Sequence, residues 1–146
     1  MQNSHKRNDT MSLTSSYPGI VDTVHSKIQI KYNGKLLDQK FIGIWDTGAN
    51  KTVINLELVQ QFGLIKIDER PVLTANGQRQ AGVYLVDLIL HNGVAFSNLE
   101  IIDGIMTVDF LIGMDIITQG DFIITNKDRT VMSFRKPSMK TVDYVQ

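Results

Sequence analysis

The sequence contains no cysteine, only three prolines and a single tryptophan. The lack of cysteine excludes disulfide bonds, thiolate catalysis and cysteine-ligated metal sites. Basic and acidic residues number 15 each, so the formal net charge is zero. Nucleic-acid and anionic-membrane binders gain affinity from a surplus of basic residues, and neither partner is therefore expected. The sequence also has no apolar run near the about 18 residues that a membrane-spanning helix requires.

The motifs of several enzyme classes are also missing. His5, His25 and His91 lie far apart and lack the spacing of metal-binding histidines, so no metal is expected. There is no glycine-rich nucleotide-binding loop and no Gly-x-Ser-x-Gly sequence of a serine hydrolase, so no cofactor is expected. The polar N-terminal residues lack the apolar run of a signal peptide, and we therefore expect a cytoplasmic protein.

Hydrophobic residues make up 42% of the 146 residues, which is enough for the core of one domain. Residues 1–25 are polar and lack periodicity, and we interpret them as a flexible N-terminal leader. Residues 138–146 have a similar composition and are interpreted as a C-terminal tail. The single folded domain is therefore predicted to span residues 26–137.

Within this region the patterns of short β-strands predominate. Residues 27–32 alternate polar and apolar side chains, and Asn33-Gly34 predicts a hairpin turn because both residues tolerate positive φ. One short helix is predicted at residues 56–62, between an N-cap at Asn55 and a terminating Gly63. Frequent glycine-containing turns and only two small helices predict an all-β fold, either a sandwich or a small, partly open barrel.

The segment that indicates chemistry is Asp46-Thr47-Gly48-Ala49, which follows the apolar strand of residues 41–45. Gly48 permits backbone geometry closed to other residues, and Thr47 can hydrogen-bond backbone groups to hold the turn. The same tripeptide also occurs in ordinary surface turns. The apolar residues on both sides of this segment favour a carboxylate that lies against strands over one in a surface turn. Leu111-Ile112-Gly113 is a second apolar element later in the chain.

These two elements, in this order, resemble the retropepsin-like aspartic proteases, and their bacterial and cellular members more than the retroviral enzymes. The resemblance covers roughly residues 26–136. It implies a single-lobe all-β fold, a small closed or partly open barrel with one or two short helices. It also implies that Asp46 is the catalytic carboxylate. The residues implied to support its loop are Thr47, Gly48 and Ala49, and those implied to pack behind it are Leu111, Ile112 and Gly113.

Such a site needs two carboxyl groups that share one proton, because like charges about 3 Å apart cannot both ionise. One carboxylate activates a water molecule, and the other carboxyl group hydrogen-bonds the peptide carbonyl. This sequence contains one Asp-Thr-Gly, so the pair would form between Asp46 of two identical chains. The resemblance thus implies a homodimeric aspartic endopeptidase that acts on an extended polypeptide.

The family also has a β-hairpin flap that closes over the substrate. The best candidate is the hairpin predicted at residues 73–82, with Asn76-Gly77 at its tip and Gly82 as a hinge. An ordinary exposed hairpin is the alternative. The flap residues implied to bind substrate are Thr74, Ala75, Asn76, Gly77 and Gln78.

Two positions depart from the retroviral pattern. Asn50 and Met114 stand where those enzymes often carry an acidic residue and an arginine, so the dimer contact that this ion pair supports must differ here.

Two alternative functions stay open. One is a catalytically silent dimerisation or peptide-binding module, and the other is a precursor that cleaves its own leader near residues 10–24. Most of the scattered aspartates are interpreted as turn or cap residues, and Asp115 is expected to stabilise the start of the second short helix. The scattered aspartates are Asp87, Asp103, Asp109, Asp115 and Asp121.

Overall fold

A computed structural model of the protein describes residues 10–145, and residues 1–9 and 146 lie outside the described part of the chain. The two short α-helices are α1 (Leu56–Phe62) and α2 (Met114–Ile117). The strands, in chain order, are β1 (Met11–Ser16), β2 (His25–Tyr32), β3 (Lys35–Leu36), β4 (Phe41–Trp45), β5 (Val53–Asn55), β6 (Asp68–Thr74), β7 (Gly77–Ile89), β8 (Ala95–Gly104), β9 (Phe110–Ile112), β10 (Asp121–Thr125) and β11 (Val131–Lys136).

Eight of these strands form one sheet, in the order β3-β2-β4-β9-β5-β8-β7-β6. An additional antiparallel pairing of β2 with β7 joins strands far apart in that order, so the sheet curls into a partly closed barrel. The remaining strands form a three-stranded sheet in the order β1-β11-β10. The predicted all-β fold with two short helices is confirmed. Among residues 10–145, no helix has the length and apolar character needed to cross a bilayer.

Aromatic side chains join the two sheets beside the end of β4. Trp45, the last residue of β4, stacks on Phe122 of β10 with ring centroids 5.0 Å apart. Its ring centroid also lies 5.3 Å from that of Phe134 of β11. The indole N–H of Trp45 donates to the hydroxyl oxygen of Ser26 at 2.9 Å, so its polar atom is satisfied although the side chain is buried. The small sheet is therefore held against the barrel at the point where the Asp46 loop begins.

Local sequence signals produce α1 and the first turn. The side-chain oxygen of Asn55 accepts a hydrogen bond from the Glu57 N–H, and Gly63 ends the helix with a left-handed φ of 62°. Asn33-Gly34 forms the first hairpin turn with positive φ at both residues. The return strand, however, divides into β3 and β4. The intervening polar run Asp38-Gln39-Lys40 is exposed, so it has no apolar face that a continuous strand would bury.

The predicted leader contains a strand in its described part. β1 pairs antiparallel with β11, from Met11 opposite Lys136 to Ser16 opposite Val131. Leu13 is fully buried in this sheet, so the prediction of a flexible segment is wrong for the residues of β1. Two apolar residues, Met11 and Leu13, in a run rich in serine and threonine are too weak a pattern to reveal a strand without its partner. Residues 1–9 of the predicted leader lie outside the described residues.

Asp121 holds the C-terminal segment against β10. Its carboxylate accepts hydrogen bonds from the Met139 N–H at 2.9 Å, from the Ser138 hydroxyl and from Nε of Arg135 at 2.7 Å. These bonds hold the pKa of Asp121 well below its usual range, and the bond from Met139 has the largest effect. A carboxyl group with a lowered folded-state pKa stabilises the folded state above its unfolded pKa. That contribution is lost as pH falls through the lowered value.

We therefore expect the C-terminal segment to stay bound at mildly acidic pH. The contribution of Asp121 is complete above the ordinary pKa of 3.8 and declines only below it. Protection of the Met139 amide against hydrogen exchange, measured as a function of pH, checks this expectation. Asp121→Asn should remove the pH dependence, and loss of protection already near about pH 6 would contradict the assignment.

Candidate active site

Asp46 follows β4 directly and begins a tight turn. Its N–H donates to the carbonyl of Ile112 at 2.9 Å, and its carbonyl accepts from the Ala49 N–H at 3.2 Å. Its half-buried side chain accepts a hydrogen bond at Oδ1 from the Gly48 N–H at 2.8 Å. A Cβ at Gly48 would lie only 3.1 Å from that oxygen, so glycine leaves the carboxylate room. The carboxylate is thus held by backbone groups of its own turn.

The end of β9 packs directly behind this turn. β9 is a parallel neighbour of β4, with Ile112 opposite Trp45. The N–H of Met114 donates to the carbonyl of Ala49 at 2.8 Å. A Cβ at Gly113 would lie 2.6 Å from the backbone of Lys51 and 2.8 Å from the Ala49 carbonyl oxygen. Only glycine permits this approach, and the structure therefore brings the two sequence elements into contact.

Thr52 and Asp115 secure the far end of the loop through bonds that the sequence patterns did not indicate. Thr52 donates its N–H and its hydroxyl to the Asp115 carboxylate at 2.9 and 2.8 Å. The hydroxyl oxygen of Thr52 in turn accepts from the Gly113 N–H at 3.2 Å. Asp115 was interpreted as a residue that stabilises the start of α2, and its carboxylate also joins that helix to the loop. The available signal, an aspartate just after an apolar strand and a glycine, is common at helix starts.

The Asp46 side chain lines an open pocket of about 510 Å³. The pocket wall includes Phe122 and Ile124 of β10, which is the edge strand of its sheet among the described residues. Asp22 also lines this pocket, but its side chain is exposed and accepts a hydrogen bond from the hydroxyl of Thr23 at 3.3 Å. Within residues 10–145, one chain therefore presents one half-buried carboxylate here, with an apolar wall beside it.

The residues predicted for the flap form the turn between β6 and β7. Thr74 pairs with Gly77, and the Thr74 hydroxyl donates to the Gly77 carbonyl at 2.8 Å, which leaves Ala75 and Asn76 as the turn residues. Gly77 has a φ of 106°, a conformation that favours glycine. The hairpin is longer than predicted, and all of residues 74–78 are exposed. Among the described residues, those that line the Asp46 pocket include none of these five.

Gly82 serves close packing where the hairpin meets the barrel. A Cβ there would lie 2.5 Å from the hydroxyl oxygen of Tyr84 and 2.7 Å from Oδ2 of Asp103. The Tyr84 hydroxyl donates to the same oxygen at 2.8 Å. Burial, and then this hydrogen bond, raises the pKa of Tyr84 to about 12. Asp103 is buried within β8, so it is not one of the turn or cap residues that most of the scattered aspartates were predicted to be.

Comparison with known proteins gives a family match and structural matches. The profile of the family described as "gag-polyprotein putative aspartyl protease" matches residues 28–119. No curated protein matches the chain. A retropepsin-like aspartic protease from Rickettsia conorii matches with a TM-score of 0.55 and 18% identity, over 87% of this chain and 95% of that one. The solution structure of the simian foamy virus (mac) protease matches with a TM-score of 0.46 and 18% identity, over 64% and 91% of the two chains.

The structural match to the Rickettsia protein concerns the fold, because the identity is low. The family match covers more than half of the chain, and it includes the Asp46 turn, the hairpin of β6 and β7, and the Gly113 segment. The resemblance inferred from the sequence is thereby confirmed. The chain belongs to the gag-polyprotein aspartyl protease family and has the retropepsin-like fold.

Proposed function

We propose that this protein is an aspartic endopeptidase whose active site forms between two identical chains, each of which contributes Asp46. The observation that carries the proposal is the setting of Asp46, a half-buried carboxylate held by the Gly48 N–H beside an open pocket. A carboxylate that is fixed and only partly solvated is suited to proton transfer with a bound water molecule. Thr47, Gly48 and Ala49 are proposed to support the loop.

In the proposed dimer, the two Asp46 carboxyl groups share one proton. The ionised group takes a proton from water as the water oxygen attacks the peptide carbonyl carbon, and the protonated group hydrogen-bonds the carbonyl oxygen. The tetrahedral intermediate then collapses, the C–N bond breaks, and the departing nitrogen receives a proton from the pair. One water molecule is consumed, and the products are a carboxylic acid and an amine.

Two features support a second chain, rather than a second residue of the same chain, as the source of the other carboxyl group. Asp22 lines the same pocket, but its side chain is exposed and its carboxylate accepts a hydrogen bond from the hydroxyl of the neighbouring Thr23. Ile124 is 41% exposed on the edge strand beside Asp46. An apolar side chain on an unpaired edge is the kind of surface that associates with another chain.

The proposed substrate is an extended polypeptide enclosed between the hairpin of β6 and β7 and the two Asp46 residues. Among the described elements, β6 is the last strand of the large sheet. Its outer edge can therefore pair with a peptide that adds as a further strand. Leu73, next to the turn, is 85% exposed and offers apolar contact to a peptide side chain. Residues 74–78 are proposed to contact the substrate backbone as the hairpin closes.

Mixing the wild-type protein with Asp46→Asn protein tests the shared site. The two proteins are allowed to exchange chains, and peptide cleavage is then measured at a constant concentration of wild-type chain. If one site needs two Asp46 residues, an equal amount of variant lowers activity per wild-type chain to about half, and an excess lowers it further. Asp22→Asn protein is the matched control, since its chains retain Asp46 and should not inhibit. Activity that is unchanged by excess Asp46→Asn protein would contradict the two-chain site.

A further inference from the structure

A buried ionic network lies at the base of the hairpin and has no role in the proposed chemistry. We call Arg79, Gly82, Tyr84 and Asp103 the flap-base network. Nη2 of Arg79 lies 2.5 Å from Oδ1 of Asp103, and Nη1 of Arg79 donates to the Asp103 carbonyl at 3.0 Å. Oδ2 of Asp103 accepts from the Gly82 N–H at 3.0 Å and from the Tyr84 hydroxyl at 2.8 Å. The Asp103 side chain is 4% exposed and that of Arg79 is 24% exposed.

The network begins where the pairing of β7 with β8 ends. The last paired residues of these strands toward the hairpin turn are Val83 and Ile102. Beyond them, β7 pairs with β6 alone. The bonds from Gly82 and Arg79 to Asp103 therefore take the place of strand pairing and connect the outer half of the hairpin to the barrel.

The same point separates the buried half of β7 from its exposed half. Ala81 and Val83 are fully buried, whereas residues 77, 78 and 80 are exposed. A hairpin end with little buried apolar surface depends on hydrogen bonds for a defined position. Arg79 is the partly buried residue within that end of β7, and its guanidinium group reaches the barrel.

β8 also connects the network to the Asp46 loop. Asp103 lies opposite Ile54 in the parallel pairing of β8 with β5, the strand that follows the loop. The Ile102 N–H donates to the carbonyl of Thr52 at 3.1 Å. Thr52 is fully buried and bonded to Asp115, so this attachment point is itself held in place. A constraint at Asp103 therefore acts between the hairpin and the segment next to the catalytic turn.

We propose that Arg79 and Asp103 are positioning residues for peptide cleavage, because their ion pair holds the base of the flap at a defined position relative to the Asp46 loop. This inference rests on the proposed function. A guanidinium group that bonds both the carboxylate and the carbonyl of one residue limits rotation as well as separation. The pair is largely buried, so salt screens it much less than an exposed pair.

Arg79→Met tests the inference against the matched control Arg70→Met. Arg70 lies on β6 of the same hairpin and bonds Glu100 of β8 at 2.6 Å, but the two side chains are 39% and 43% exposed. Backbone deuterium exchange of residues 72–80 is measured in the full-length variants. We expect exchange at least about fivefold faster in Arg79→Met and within about twofold of wild type in Arg70→Met. Equal exchange in the two variants would overturn the inference.

A conservative variant covers the case in which Arg79→Met fails to fold with Asp103 left unpaired. Arg79→Lys keeps a cation beside Asp103, but an ammonium group cannot reproduce the bidentate contact with the carboxylate and the carbonyl of Asp103. We expect a smaller increase in flap exchange, with exchange of the buried residues 83–88 unchanged. Exchange in Arg79→Lys that rises equally in the flap and in residues 83–88 would indicate a general loss of stability and overturn the positioning role.

Peptide kinetics separate this inference from the proposed function. In Arg79→Met, KM is expected to rise about fivefold to tenfold with kcat within about twofold, and Arg79→Lys should restore part of the change. A fall in kcat with unchanged KM would contradict a role in enclosing the substrate. One outcome is that the wild-type protein cleaves no peptide while deuterium exchange of residues 72–80 is faster only in Arg79→Met. In that case the protease proposal fails, and the conclusion that the network restrains the hairpin is retained. Equal exchange overturns the inference whether or not the protein cleaves peptides.

Discussion

Asp46→Asn is expected to abolish peptide cleavage and to leave the fold intact. The amide has the same shape as the carboxylate, and its oxygen can still accept the hydrogen bond from the Gly48 N–H. It cannot take a proton from water, however, and in a homodimer both carboxyl groups of the pair are lost together. We expect a rate reduction of at least about 1,000-fold, since general acid–base groups each contribute about 100- to 10,000-fold. Initial rates on a peptide mixture, followed by mass spectrometry, measure the effect.

Asp22→Asn is the control for this experiment, because Asp22 is the other carboxylate among the described residues that line the same pocket. Its side chain is exposed, and we expect its loss to change the rate by less than about threefold. An equal loss in both variants would instead indicate a carboxylate pair within one chain. Cleavage that survives Asp46→Asn would overturn the catalytic assignment. A wild-type protein that binds peptides without cleaving them would favour the catalytically silent module that the sequence left open.

Gly113→Ala is expected to damage both stability and activity. The added methyl group would meet backbone atoms of Lys51 and Ala49 at 2.6 to 2.8 Å, and backbone atoms cannot rotate out of the way. Either β9 or the Asp46 turn must therefore shift. The carbonyl of Ala49 accepts a hydrogen bond from the Met114 N–H, so a shift on either side of this contact displaces the turn that holds Asp46.

Chemical unfolding of Gly113→Ala should show a loss of about 3 kcal/mol, because overpacking that requires a backbone movement lies at the upper end of the usual range. Gly19→Ala is the matched control. A Cβ at Gly19 would meet no atom within 4 Å, and the φ of this residue lies outside the left-handed region. Its free energy of unfolding should change by less than about 1 kcal/mol. A Gly113→Ala protein with wild-type stability and activity would contradict the close contact behind the loop.

Elements that depend on neighbouring residues could be predicted from the sequence. The cap of Asn55, the stop at Gly63 and the turn at Asn33-Gly34 each involve residues only a few positions apart. The strand that ends at Trp45 and the glycine turn after it likewise follow from local composition. These patterns were sufficient for the all-β class, for the position of the candidate carboxylate and for the family resemblance.

Contacts between distant residues could not be predicted in the same way. The bonds of Thr52 to Asp115 span 63 positions, and the ion pair of Arg79 with Asp103 spans 24. β1 is a strand because β11 lies beside it, not because of its own pattern. Whether an aspartate is a solvated turn residue or a buried carboxylate depends on which strands become neighbours. The identity of the candidate acid was therefore present in the local chain. The groups that bond the Asp46 loop and the base of the β6–β7 hairpin were established by the folding of the barrel, because burial and hydrogen-bond partners arise from strand pairing.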